Sequence, residues 1–176
     1  MMRYVALLRG INVNPGTTVA MADLRALLEK LGHTEVRTHL RSGNAVFASA
    51  DERPEWIASL IEREITGELG LTVPVIVRTA AELRQVVEDN PLEVRDPARF
   101  AVMFLADTPD RALLEGIDPA AYAPEEMRVG RRELYTYFPE GLRRTRLQPL
   151  LAKRLNVTAT ARNWNTVTRL LALAEG

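Results

Sequence analysis

The 176-residue chain has no cysteine, two histidines (His33 and His39), two lysines (Lys30 and Lys153) and only 6% aromatic residues. The absence of cysteine removes disulfides, thiolate nucleophiles, iron–sulfur clusters and cysteine-ligated zinc together, and it points to a reducing, cytoplasmic setting. Long hydrophobic runs are missing too. The apolar stretch at residues 4–8 is shorter than the core of a secretory signal and far shorter than a membrane span, so no membrane association is expected. Neither sign of charge is in excess, with 23 Lys and Arg against 23 Asp and Glu, which argues against whole-molecule steering towards nucleic acid. What is present, 47% hydrophobic and 26% charged residues, is an ordinary globular composition in a chain long enough for one sizeable core or two small ones.

The zero net charge hides an asymmetry. Residues 128–169 hold ten Arg and Lys against two acids, a local balance of +8, whereas residues 100–127 hold one base and six acids. An anion-binding surface is therefore expected in the last third. Nearly all the bases are arginine, which suits bidentate oxyanion contacts; a GC-rich genome accounts for the bias equally simply.

Periodicity predicts alternating elements. Residues 3–9 read as a strand followed by a polar loop, GINVNPGTT, in which Gly10, Pro15 and Gly16 are expected to forbid regular structure. Leu24, Leu27, Leu28 and Leu31 mark a helix over 21–31 stopped by Gly32. Strands at 35–40 and 45–49 flank the turn Arg41-Ser42-Gly43-Asn44. A helix over 54–69 carries Trp56, Ile57, Leu60, Ile61, Ile65 and Leu69 at helical spacing, and a strand follows at 73–79. The first 79 residues thus read β-α-β-β-α-β, the order of the ferredoxin-like fold.

The second half reads the same way. Strands are expected at 100–106, 127–129, 133–138 and 158–161, with helices at 109–115 and around Leu147, Leu150, Leu151 and Leu155. Pro149 is tolerable there only in a first turn. A helix over 80–90 and a loop over 91–99 join the halves, and a last helix covers 164–174. The expectation is an α+β protein of two ferredoxin-like subdomains, 1–79 and 100–176, joined by 80–99. The first strand of each half is apolar at odd and even positions, so both faces of each sheet should be covered, most simply by packing the two halves through their sheets.

Three segments hold more polar and glycine residues than folding requires: Leu8-Arg9-Gly10-Ile11-Asn12, Arg41-Ser42-Gly43-Asn44 and Arg162-Asn163-Trp164-Asn165-Thr166. In this order the motifs LLRGIN, RSGNAVF and TARNWNT resemble the bacterial family known as domain of unknown function 1697, from Tyr4 to Leu171. The resemblance implies a small two-part α+β protein with no established activity, so it bears on the fold and leaves the function open. The family's loop after LLRGIN is commonly glycine-rich, whereas this chain reads VNPGTTV.

The candidate ligand-binding residues are Arg9, Gly10, Asn12, Arg41, Ser42, Asn44, Arg162, Asn163 and Thr166. Asn163 can N-cap the last helix beside Arg162 and Thr166, leaving a positive helix end for an anion; alternatively it caps only, with Trp164 packed beneath. Ser42 and Asn44 can present hydrogen-bonding groups beside Arg41, or can simply shape a hairpin. Gly10 can admit a ligand to the backbone near Arg9 and Asn12, or Asn12 can bond its own loop.

Tyr135 and Tyr137 alternate on one strand face as in an RNA-recognition module, yet the surrounding sequence lacks that module's signature, which favours buried tyrosines. The two histidines do not read as a metal pair, and no P-loop, dinucleotide fingerprint or nucleophile elbow occurs, so neither cofactor nor metal is expected. The reading that follows is a non-catalytic binder of an anionic ligand, RNA or a nucleotide, whose three motifs converge on one site. An enzyme acting on a small phosphorylated substrate and a protein–protein module are the competing classes.

Overall fold

A computed structural model describes residues 1–176. Its contacts divide into two compact units, Met1–Gln85 with Arg169–Gly176, and Val86–Thr168.

In the first unit, β1 (Met2–Leu8), α1 (Met21–Lys30), β2 (Thr34–His39), β3 (Asn44–Ser49), α2 (Pro54–Leu69) and β4 (Val75–Thr79) follow the expected order, and α3 (Ala80–Glu88) begins directly after β4. The strands form one antiparallel sheet in the order β2-β3-β1-β4. Alternation sends Tyr4, Ala6 and Leu8 of β1 into a core with Leu24, Leu27 and Leu28 of α1 and Ile57, Ile61 and Ile65 of α2. Each fully buried leucine or isoleucine contributes about 1.5–3 kcal/mol. Val5 and Leu7 are also buried, so both faces of β1 are covered, as the doubly apolar strand requires. Trp56 falls off the Ile57-Ile61-Ile65 line and is 41% exposed, with the Arg53 guanidinium 5.4 Å from its ring.

The loop after β1 is more regular than its Gly and Pro content predicts. Pro15–Thr17 form a 3-10 turn, because Asn14 Oδ1 accepts the Gly16 N–H at 3.0 Å and Pro15 presets the first position.

The second unit repeats the plan with β5 (Phe100–Leu105), α4 (Arg111–Glu115), β6 (Glu126–Val129), β7 (Glu133–Tyr137), α5 (Leu147–Arg154) and β8 (Ala159–Asn163), before α6 (Trp164–Glu175). Its antiparallel sheet has the order β6-β7-β5-β8, matching the first sheet position for position. Met103, Leu105, Leu134, Leu147 and Leu151 build its core. Pro149 is the third residue of α5, where its missing N–H costs no helical bond. The last strand runs on to Asn163, because Arg162 and Asn163 pair with Val102 and Ala101. Tyr135 is 2% exposed and donates to the Val86 carbonyl at 2.6 Å, and Tyr137 is buried with the Arg95 guanidinium 5.4 Å from its ring. Neither offers a free face for a base to stack on.

His33 is buried against Phe47, ring centroids 4.5 Å apart, and its Nε2 has no hydrogen-bond partner. Burial holds its pKa below the ordinary value of 6.5, with a smaller opposing pull from Asp51. The unfolded chain therefore takes up this proton first. Its contribution to stability is intact above about pH 6.5 and falls as pH drops below it, by at most about 1.4 kcal/mol per pH unit. Urea denaturation at pH 7.5 and 5.5 should show a larger acid loss for the parent than for His33→Leu; equal losses would contradict this assignment.

Candidate functional site

The first two polar motifs meet at the end of β1. Asn12, at φ 56°, donates from Nδ2 to the carbonyls of Val19 (3.0 Å) and Arg41 (2.7 Å), and its Oδ1 accepts the Val19 N–H at 2.9 Å. Gly43 accepts from the Leu8 N–H at 2.9 Å, and at φ +94° a Cβ there would lie 2.8 Å from both Leu8 Cβ and Ile11 Cδ1. Asn44 is fully buried and donates to the His39 carbonyl (2.7 Å) and Ser42 Oγ (3.1 Å). These residues form a hydrogen-bonded lock between the β1 loop and the β2–β3 turn. The side chains of Arg9 and Arg41 are exposed beside it, and Gly10, at φ +75°, has open space around it.

The third motif belongs to the second unit. Asn163 caps α6, its Oδ1 accepting the N–H of the buried Thr166 at 3.0 Å, and Trp164 packs edge-on against Phe100 at 5.3 Å. Arg162 points to the opposite side of β8 from Asn163, where it donates to Thr160 Oγ1 (2.7 Å) and the Ala161 carbonyl (2.9 Å). Burial pulls its guanidinium down to about 10.

A cleft of about 200 Å³ opens in this unit where β5 begins, β7 and β8 end and α5 starts. Arg99, Arg162 and Asn163 border it with Gln148, while Ala101, Met103, Phe138 and Ala161 supply apolar wall. Arg99 pairs with Asp96 at 3.7 Å and donates to the Pro139 carbonyl. Asn163 Nδ2 makes no hydrogen bond within the protein, and Gln148 Oε1 is sealed from solvent with no partner. No lining side chain carries a carboxylate, imidazole or hydroxyl, so the cleft supplies hydrogen-bonding amides and cations but no general base.

Why the second unit has this opening is clear from the registers. Ala101 pairs with Thr136 and with Asn163, the last residue of β8; Tyr4 pairs with Phe47 and with Thr79, the last residue of β4. The ring pair Tyr4–Phe47, 5.9 Å apart, and the Tyr4 hydroxyl bonded to the Asp51 carbonyl at 2.5 Å thus stand where the second unit has alanine and threonine.

Of the sequence-predicted candidates Arg162 and Asn163 border the cleft and Thr166 does not, while Arg99 and Gln148, which also border it, were not among them. The acid-free run from residue 141 to 163 is a signal for this region; nothing local to Gln148 distinguishes it from a surface glutamine.

Two four-stranded antiparallel sheets with six helices define a mixed α+β protein, and no helix is long and apolar enough to cross a membrane. The family described as Protein of unknown function (DUF1697) matches residues 1–135, and the chain belongs to it. The Arg162 motif lies beyond the matched span. Among solved structures, the conserved bacterial protein SP0830 from Streptococcus pneumoniae is similar over 100% of this chain and 99% of its own, with a TM-score of 0.81 and 24% identity, a likeness of fold. None of the curated proteins compared with the chain matches it.

The lock makes Gly43 hard to replace. Gly43→Ala adds a positive-φ penalty to two close contacts and should cost about 2–4 kcal/mol in urea denaturation. A loss below about 1 kcal/mol would show that the two loops are not held as described.

Proposed function

We propose that the protein is a non-catalytic binder of a small anionic ligand bearing a phosphate group, held in the cleft of the second unit. The observation that carries this reading is the meeting of Arg99 with the solvent-exposed Asn163, whose Nδ2 has no partner within the protein, at the start of α6 on the rim of an apolar cleft. Small-molecule sites combine apolar walls with a few orienting polar groups in this way, and a helix start adds its positive end. Charge supports it as well: residues 141–163 contain no acid, and Arg143 and Arg144 lie exposed on the turn after Leu142, which lines the cleft. The buried tyrosines remove the stacking argument for RNA and favour a small ligand. The βαββαβ order with β4-β1-β3-β2 and β8-β5-β7-β6 sheets supports reading each half as a ferredoxin-like subdomain, and the cysteine-free sequence supports a cytoplasmic location.

Two variants test the reading while sparing the fold. Asn163→Asp keeps a good helix cap but replaces the free donor with a negative charge. Ala101→Tyr fills the cleft with the side chain that Tyr4 provides in the first unit. Titration with inorganic phosphate and methyl phosphate, followed by amide NMR shifts, should move the signals of residues 163–166 in the parent. Binding should weaken at least about tenfold in Asn163→Asp, the loss of a charge-assisted bond, and vanish in Ala101→Tyr. No shift in the parent at millimolar phosphate refutes the proposal. Single-stranded RNA binding with a log–log salt slope of several units would replace it with a nucleic-acid role.

A further inference from the structure

We infer that the cleft takes a phosphate monoester whose organic group is a hydrocarbon, alkyl or aryl, and that Leu142 is the residue that selects for it. The inference rests on the cleft being a phosphate site and names the class of ester held there. Its starting point is Leu142 itself, which is 64% exposed on a turn shared with the exposed charges Glu140, Arg143 and Arg144, and which lines the cleft. A lone exposed leucine is ordinary. Leu142 differs because Ala101, Met103, Phe138 and Ala161 border the same opening, so its uncovered side chain adds to an apolar wall rather than standing by itself.

The polar inventory points the same way. Of the polar side chains that border the cleft, Arg162 is buried and donates to Thr160 Oγ1 and the Ala161 carbonyl, and the Oε1 of Gln148 is sealed from solvent. The two that stand exposed are Arg99 and Asn163, whose N–H groups suit an anion. No lining side chain brings a carboxylate or hydroxyl to receive the hydroxyls of a sugar or polyol. A hydroxyl moved out of water without a new partner is penalised, whereas carbon laid against an apolar wall gains from the area removed from water. An anionic head at Arg99 and Asn163 with a hydrocarbon body against the apolar wall and Leu142 describes one amphiphilic ester.

The test compares phenyl phosphate with methyl phosphate and glycerol 3-phosphate by calorimetric titration of the full chain at about pH 8, where each is a dianion. The parent should bind phenyl phosphate at least about tenfold more tightly than either of the others, the effect of removing much of a six-carbon ring from water. Leu142→Ala, an exchange at an exposed position that spares the fold, should weaken phenyl phosphate about threefold or more and leave methyl phosphate unchanged. If phenyl phosphate binds the parent no better than methyl or glycerol 3-phosphate, or if its advantage is undiminished in Leu142→Ala, this inference is overturned and the phosphate site stands. If none of the three binds at millimolar concentration, the phosphate site is refuted and this inference falls with it.

Discussion

A β-strand that is apolar on both sides must be covered twice, and this constraint governs both halves of the chain. β1 and β5 are each the third position of a four-stranded sheet, flanked on both sides by antiparallel partners and buried from Tyr4 to Leu8 and from Phe100 to Leu105. Once the hydrogen-bonding edges of these strands are occupied and both faces are closed, polar chemistry has access only at their ends. The lock of the first unit and the cleft of the second both lie at strand ends for that reason.

The two ends have different fates. At the end of β1 the polar residues face one another and the backbone: Asn12 holds the carbonyls of Val19 and Arg41, and Asn44 holds that of His39. Amide groups matched in this way rigidify a loop without leaving capacity for a ligand. At the start of β5 the match is incomplete: Asn163, exposed on the cleft rim, keeps its Nδ2 free of protein partners, and the sealed Gln148 Oε1 has none either. Polarity of sequence alone does not separate a saturated cluster from an unsaturated one; the count of unmade hydrogen bonds does.

Most of the architecture was legible beforehand because it rests on local signals. The helix Pro54–Leu69 carries its start in Pro54 and its stop in Gly70, and its isoleucines recur every four residues. The succession of strands and helices along each half was read from the alternation of periodicities. Trp56 was misplaced because helical spacing is tolerant by one residue, and Asn14 turned a stretch that reads as irregular into a capped 3-10 turn. The site was less legible. Arg162 and Asn163 are neighbours in sequence, yet strand alternation sends them to opposite faces, and that alternation became visible only when β8 proved to extend through Asn163. Gln148 carries no local sign at all, because the cleft it borders is assembled from residues about fifty positions away on β5 and from the turn after β7.

The repetition of topology supplies the physical reason for the cleft. With the same strand order and the same central-strand pairing, Tyr4 and Ala101 hold equivalent register positions in the two sheets, and the residue there decides the space beside the strand. In the first unit that space is closed by Tyr4 stacked on Phe47, its hydroxyl held by the Asp51 carbonyl, and Thr79 at the end of β4 is matched to Glu82 in a reciprocal cap, each accepting the other's backbone N–H at 3.0 and 2.9 Å. In the second, Ala101 and Thr136 leave the space empty, and Asn163, in the place of Thr79, uses one amide atom for the cap and keeps the other free. A close-packed interior does not leave such a volume unfilled without cost. A fold that fills the space in one half and borders it with Arg99 and the exposed Asn163 amide in the other has an opening whose shape and chemistry belong to the second unit's own residues.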